Sequence, residues 1–87
     1  MTLLEEIESK LKSELINSVV QIIDNTHLHA GHSAQRENPT AKNLEIHIHW
    51  PEFKELSRIN RERKVQSILK DFLESGKIHA MKTKLSY

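Results

Sequence analysis

Six histidines and no cysteine set the chemistry open to this 87-residue chain. Histidine is the commonest metal-binding side chain and titrates near neutral pH. Without cysteine, the chain has no disulfide scaffold, no thiolate nucleophile and no all-thiolate metal site of its own. Soft-metal chemistry must then use imidazole, or thiols brought by another molecule. The histidines form three groups. His27, His29 and His32 lie in Thr26-His27-Leu28-His29-Ala30-Gly31-His32, His47 and His49 alternate along Leu44-Glu45-Ile46-His47-Ile48-His49, and His79 stands just after Gly76-Lys77-Ile78.

Each group has a functional and a structural reading. His29 and His32 can turn toward one ion, with Gly31 supplying backbone freedom. A solvated polar loop explains the same residues, because histidine-rich loops without helical or cysteine context are weak metal signals. His47 and His49 share the outward face of one strand, about 6–7 Å apart by strand rise. That suits adventitious chelation or a half-solvated sheet face, and neither residue is assigned a role. His79 occupies a fixed place where the chain enters a strand. Taken alone it reads as a hydrogen-bonded structural histidine, and it gains a ligand role only where the loop folds back toward it.

Arg58, Arg61, Arg63 and Lys64 form a second candidate cluster. Helix N-terminal N–H groups help such a run bind phosphate, yet cations are unfavourable at the positive end of the macrodipole. Glu55 and Glu62 dilute the patch further. A solvated helix face or a docking surface for an acidic partner fits equally well. There is no P-loop, dinucleotide fingerprint, nucleophile elbow or zincin motif, and no nucleophile–base pair stands out. The expectation is a protein that is not an enzyme.

The elements that must position these residues are legible from periodicity. Thr2-Leu3-Leu4-Glu5 reads as a capping box, and Leu4, Ile7, Leu11 and Leu15 give a helix over 3–15 with one apolar stripe. Val19-Val20-Gln21-Ile22-Ile23 reads as a strand closed by Asp24-Asn25. A long loop follows over about 25–42, a length that is usually functional or disordered. Residues 44–49 alternate strictly, with Leu44, Ile46 and Ile48 inward and Glu45, His47 and His49 outward. Trp50-Pro51 ends that strand, and 51–57 form a tight turn or short helix that tucks in Phe53 and Leu56. Val65, Ile68, Leu69, Phe72 and Leu73 mark a second long helix over about 58–75, with Gly76 at the left-handed position beyond its end. A last strand spans 78–85. Its alternation sets His79, Met81, Thr83 and Leu85 on one face and Ile78, Ala80, Lys82 and Lys84 on the other.

The order is α–β–β–α–β, an α+β domain. The first two strands make an antiparallel hairpin, and the helical crossover makes the last strand a parallel neighbour. The sheet is three-stranded and mixed, with two amphipathic helices packed on one face. At this length the chain reads as one domain over 1–87, with one small core. Thirteen Lys and Arg against twelve Asp and Glu leave a formal charge of +1, which argues against a broad nucleic-acid footprint. The acidic start lacks the signature of a targeting segment, and no apolar stretch approaches the ~18 residues that span a bilayer. The composition points to a soluble, cytoplasmic domain with no membrane association.

His29-Ala30-Gly31-His32 after Asp24-Asn25-Thr26, then Phe53, Arg61-Glu62-Arg63 with Val65, and Gly76-Lys77-Ile78-His79-Ala80-Met81 together resemble the BolA family. The resemblance runs almost the length of the chain, in order. It implies an αββαβ fold with an added short helix, akin to the class II KH topology. It also implies partnership with a monothiol glutaredoxin and a shared 2Fe–2S cluster. The glutaredoxin brings a cysteine and a glutathione thiol. The BolA side brings a loop histidine, here His29 with His32 as the alternative, and the histidine of the last strand, here His79. The family's Arg-His-Arg is Arg61-Glu62-Arg63, and the glycine of its Phe-x-Gly is replaced by Glu55. The opening of its second strand is Lys42-Asn43-Leu44. The Gly-x-x-Gly loop that clamps nucleic acid in KH domains is missing. A KH-like nucleic-acid-binding regulator using Arg58, Arg61, Arg63 and Lys64 is the alternative reading.

Overall fold

The computed structural model describes residues 1–26 and 42–87. Helix α1 (Leu3–Glu14) leads into β1 (Val19–Asp24). Strand β2 (Lys42–His49), a 3-10 turn (Pro51–Glu55), α2 (Arg58–Ile68), α3 (Lys70–Glu74) and β3 (Ile78–Ser86) follow. The capping box is present. Thr2 Oγ1 accepts from the Glu5 N–H at 3.2 Å, and Glu5 Oε1 accepts from the Thr2 N–H at 3.0 Å. Leu15 caps the C-terminus of α1, and Asn17 turns the chain with a φ of 70°.

The sheet has the order β1-β2-β3, with β1 antiparallel and β3 parallel to β2. Its inner face carries Leu44, Ile46 and Ile48, which pack with Ile7, Leu11 and Leu15 of the first helical segment and with Phe53, Val65 and Leu69. Glu45, His47 and His49 lie on the other face, as the alternation predicts. One apolar core therefore lies between the sheet and the helices, the helix-on-sheet layering that buries both apolar stripes.

Two sequence expectations need correction. The helix expected over 58–75 is interrupted at Leu69, whose φ of −97° and ψ of 13° separate α2 from α3. Leu69 N–H still donates to Val65 and Leu73 N–H to Leu69, both at 3.1 Å. The apolar stripe passes through the break, so periodicity does not register it.

The second correction concerns β3. Ile78 stands opposite Lys42 and Ala80 opposite Asn43, with a register shift between them. His79 is thus the extra residue of a β-bulge. The bulge resets the alternation, so Ile78 joins Met81 and Leu85 at the core rather than sharing the outer face with Ala80, Lys82 and Lys84. Ile78 is buried while His79 is exposed.

Candidate functional site

The bulge lies at one end of the sheet, beside both ends of the segment that joins β1 to β2. Asn25 N–H donates to the Asn43 carbonyl at 2.8 Å, and Lys42 N–H to the Lys77 carbonyl at 3.1 Å. Thr26 supplies the clip. Its N–H donates to Asp24 Oδ1 at 2.9 Å, its hydroxyl also bonds that oxygen, and its Oγ1 accepts from the Asn43 N–H at 3.1 Å. Lys42 Nζ lies 3.4 Å from the other Asp24 oxygen. Burial pushes the Asp24 carboxyl up, but the Thr26 hydrogen bonds and the Lys42 ammonium outweigh it and hold the group below its ordinary value. This Asx-type turn locks the exit of β1 against the entry of β2.

His79 emerges beside that clip. Bulges recur next to functional sites because they re-aim a side chain, and here the bulge turns an imidazole outward while its neighbour Ile78 anchors the strand. Asn43, opposite Ala80, is buried, and its Nδ2 has no hydrogen-bond partner among the described residues. A buried amide donor in that state calls for a specific explanation. His29 and His32 lie outside the described residues. Among those described, no group of three or more His, Asp or Glu side chains is arranged to hold a metal ion.

His47 and His49 are placed elsewhere, along the outer face of β2. His47 Nε2 lies 2.8 Å from Glu45 Oε2, and His49 Nδ1 lies 3.0 Å from Ser86 Oγ. The His47 hydrogen bond holds Glu45 below its ordinary value, against a smaller upward push from burial, and Lys84 and Lys82 add to the lowering. These contacts occupy both imidazoles with local structure.

The basic cluster divides in two. Arg61 is half-buried, and its Nε donates to the carbonyls of Phe53 at 2.7 Å and Leu56 at 3.0 Å. Its guanidinium also sits 4.7 Å from the centre of the Tyr87 ring. Arg61 therefore caps the 3-10 turn: it adds a second donor to the Phe53 carbonyl, which already accepts from the Leu56 N–H at 3.1 Å, and supplies one to the Leu56 carbonyl. Lys64 Nζ lies 5.8 Å from the Trp50 ring. Arg58 and Arg63 are exposed. Sequence reasoning missed two features of this region, the capping by Arg61 and the bond from Thr83 Oγ1 to Glu62 Oε2 at 2.6 Å. The acidic Glu62 in an otherwise basic run at the helix start was the available signal for the second.

These features define a small α+β domain with a mixed sheet and a bulged histidine strand at one sheet end. Residues 11–86 match the family of BolA-like proteins, and the chain belongs to that family. It is 30% identical over 81 residues to an uncharacterised Sinorhizobium protein from the 5′ region of cobS, covering 93% of this chain and 86% of that one. Among solved structures it is similar to the BolA domain of SufE1 from Arabidopsis thaliana, with a TM-score of 0.76 and 28% identity over 94% of this chain and 87% of that one. BolA1 from Arabidopsis thaliana shares the fold, with a TM-score of 0.79 at 24% identity, covering 99% of this chain and 92% of that one. No helix among the described residues is long and apolar enough to cross a membrane.

Proposed function

We propose that this protein is a non-enzymatic partner of a monothiol glutaredoxin, and that the two share a 2Fe–2S cluster for iron–sulfur assembly, trafficking or iron and redox regulation. His79 and His29, with His32 as the alternative to His29, are the ligands from this chain. The glutaredoxin cysteine and a glutathione thiol complete the set. The observation that carries the reading is the bulge that turns His79 outward at the sheet end where the β1–β2 segment is clipped.

Three further points support it. Thr26 is held in place, and three residues beyond it span at most about 10 Å. Two strand spacings, from β1 to β3, also come to about 10 Å, so His29 is within chain reach of His79. The donor set suits the group, because imidazoles replace thiolates on one iron in Rieske centres and raise their potential. The Asn43 amide, buried and without a hydrogen-bond partner among the described residues, stands opposite Ala80, next to His79 in the chain.

This chain's own task is to present imidazole nitrogens, one from β3 and one from the residues that follow Thr26. The nucleic-acid reading has less support, since Arg61 is committed to the 3-10 turn and Lys64 lies over Trp50.

Anaerobic reconstitution with a monothiol glutaredoxin and glutathione tests the proposal. The mixed complex should show visible absorption and circular dichroism distinct from the glutaredoxin homodimer, and His79→Ala should abolish that difference. An unchanged cluster spectrum in a folded His79→Ala protein would overturn the ligand assignment. For the alternative, binding to DNA should weaken steeply with salt and should be lost on charge reversal of Arg58 and Arg63.

A further inference from the structure

The two edges of the sheet are built differently. On β3, the bulge at His79 and the exposed Lys82 and Lys84, with Lys77 just before the strand, are devices that discourage edge-to-edge pairing. On β1 the one charge is Asp24 at its last position, tied to Thr26 and Lys42. The strand's register against β2 is continuous from Val19 to Asp24, and Val19-Val20-Gln21-Ile22-Ile23 contains no charge and no proline. Val19 is 64% exposed, and Val20, Ile22 and Ile23 are only half-buried. Among the described residues, no strand pairs on the outer side of β1.

The ladder fixes which groups face outward. Asn25 N–H bonds β2, so the odd-numbered residues of β1 direct their backbone groups inward to the sheet. The N–H and C=O of Val20 and Ile22 therefore point away from it. In an antiparallel pairing of β1 with a second β1 about a two-fold axis at Gln21, Val20 meets the partner's Ile22 and exchanges both hydrogen bonds with it. The reciprocal pair does the same. Val19 then meets the partner's Ile23 on the outer face, and Gln21 meets Gln21 at the axis. Apolar residues oppose apolar residues on both faces, and an amide pairs with an amide. The two-fold sends each Asp24 to the opposite end of the ladder, against the uncharged Ser18, so no like charges meet. A register moved by two residues instead sets Val20 against the partner's Asp24. One moved by a single residue sets inner-face side chains against outer-face ones.

We infer that β1 is a self-association edge, and that two copies of this chain pair through it to form one continuous six-stranded sheet. Two short strands bury less than the about 1,200 Å² of a standard stable interface. The association is therefore weak, concentration-dependent and in fast exchange. His79 lies on the opposite edge, so the inference stands independently of the cluster reading.

The absence of cysteine makes the test clean. Gln21→Cys introduces the only thiol of the chain, at the two-fold and in the closely spaced type of antiparallel pair that a disulfide can bridge. Under mild oxidation it should cross-link at least about tenfold faster than Lys84→Cys, whose thiol lies on the same sheet face but far from the axis. In sedimentation equilibrium the wild-type mass should rise toward the dimer with concentration, and Gln21→Lys, an exposed change, should stay monomeric with an unaltered far-ultraviolet spectrum. A wild-type protein monomeric at the highest soluble concentration would overturn the inference. So would Gln21→Cys cross-linking no faster than Lys84→Cys, or dimerisation that survives Gln21→Lys.

Discussion

The two ends of the sheet are held by different kinds of interaction. At the far end, Trp50 Nε1 donates to the Ile16 carbonyl at 3.0 Å, and the Trp50 and Phe53 rings meet edge to face at 5.1 Å. Arg61 closes the 3-10 turn behind them. At the His79 end, a short polar clip of Asp24, Thr26, Lys42 and Asn43 does the holding, with Ile78 as its apolar anchor. Aromatic burial is stable and insensitive to pH, while a half-exposed polar clip is adjustable. Under the proposed function, the end that would receive the partner is the one built from the weaker and more specific kind of contact.

The contrast can be broken most severely at the far end. Phe53 is fully buried, and Phe53→Ala should destabilise the domain by about 3–5 kcal/mol. For a domain this small that approaches the whole margin of about 5 kcal/mol or more, and a denaturant midpoint reads the loss directly. Arg61→Gln is the intermediate case. It removes charge-assisted bonds to two part-buried carbonyls, one of which keeps a backbone donor, and should cost about 1.5–2 kcal/mol. A stability loss of that size, with no matching loss of DNA affinity, would confirm a capping role. An unchanged melting curve would break the comparison.

The smallest effect belongs to the clip. Asp24→Asn keeps the shape but loses the ion pair and weakens the Thr26 bonds, for about 0.5–1.5 kcal/mol. The change should appear as faster amide exchange at Asn25, Thr26 and Asn43, while the far end stays protected. The pH dependence has a definite sign. The Asp24 pKa is lower in the folded chain than in the unfolded one, so the clip contributes fully above the unfolded value of about 3.9. That contribution is lost as pH falls through the folded value. Acid should therefore open the His79 end first, and in Asp24→Asn the opening should lose this pH dependence.

Much of this was legible in the residues. The capping box of α1, the alternation of β2 and the Trp50-Pro51 stop are local patterns, and local patterns survive folding. The parallel placement of β3 followed from the crossover. The bulge at His79 did not, because a single-residue shift is fixed by pairing with Lys42 and Asn43, more than thirty positions away in the chain. The break at Leu69 escaped because the apolar stripe of Val65, Leu69 and Phe72 runs straight through it. Arg61 looked like a phosphate ligand because a guanidinium that caps a carbonyl and one that binds an anion have the same sequence signature. For the site, the sequence singled out His79 by motif, and pairing supplied the reason that its side chain faces outward.

Trp50 is the only tryptophan in the chain. Its indole is nearly buried, bonded to the carbonyl just beyond α1 and set against Phe53, about 25 Å along the sheet from the bulge by strand rise. The protein thus carries a built-in optical reporter that watches one end only. Its emission should follow the docking of α1 and the 3-10 turn, and should stay unchanged when the Asp24–Thr26 clip is lost. A fluorescence trace and a spectroscopic trace of the His79 end record two separate events in one small domain.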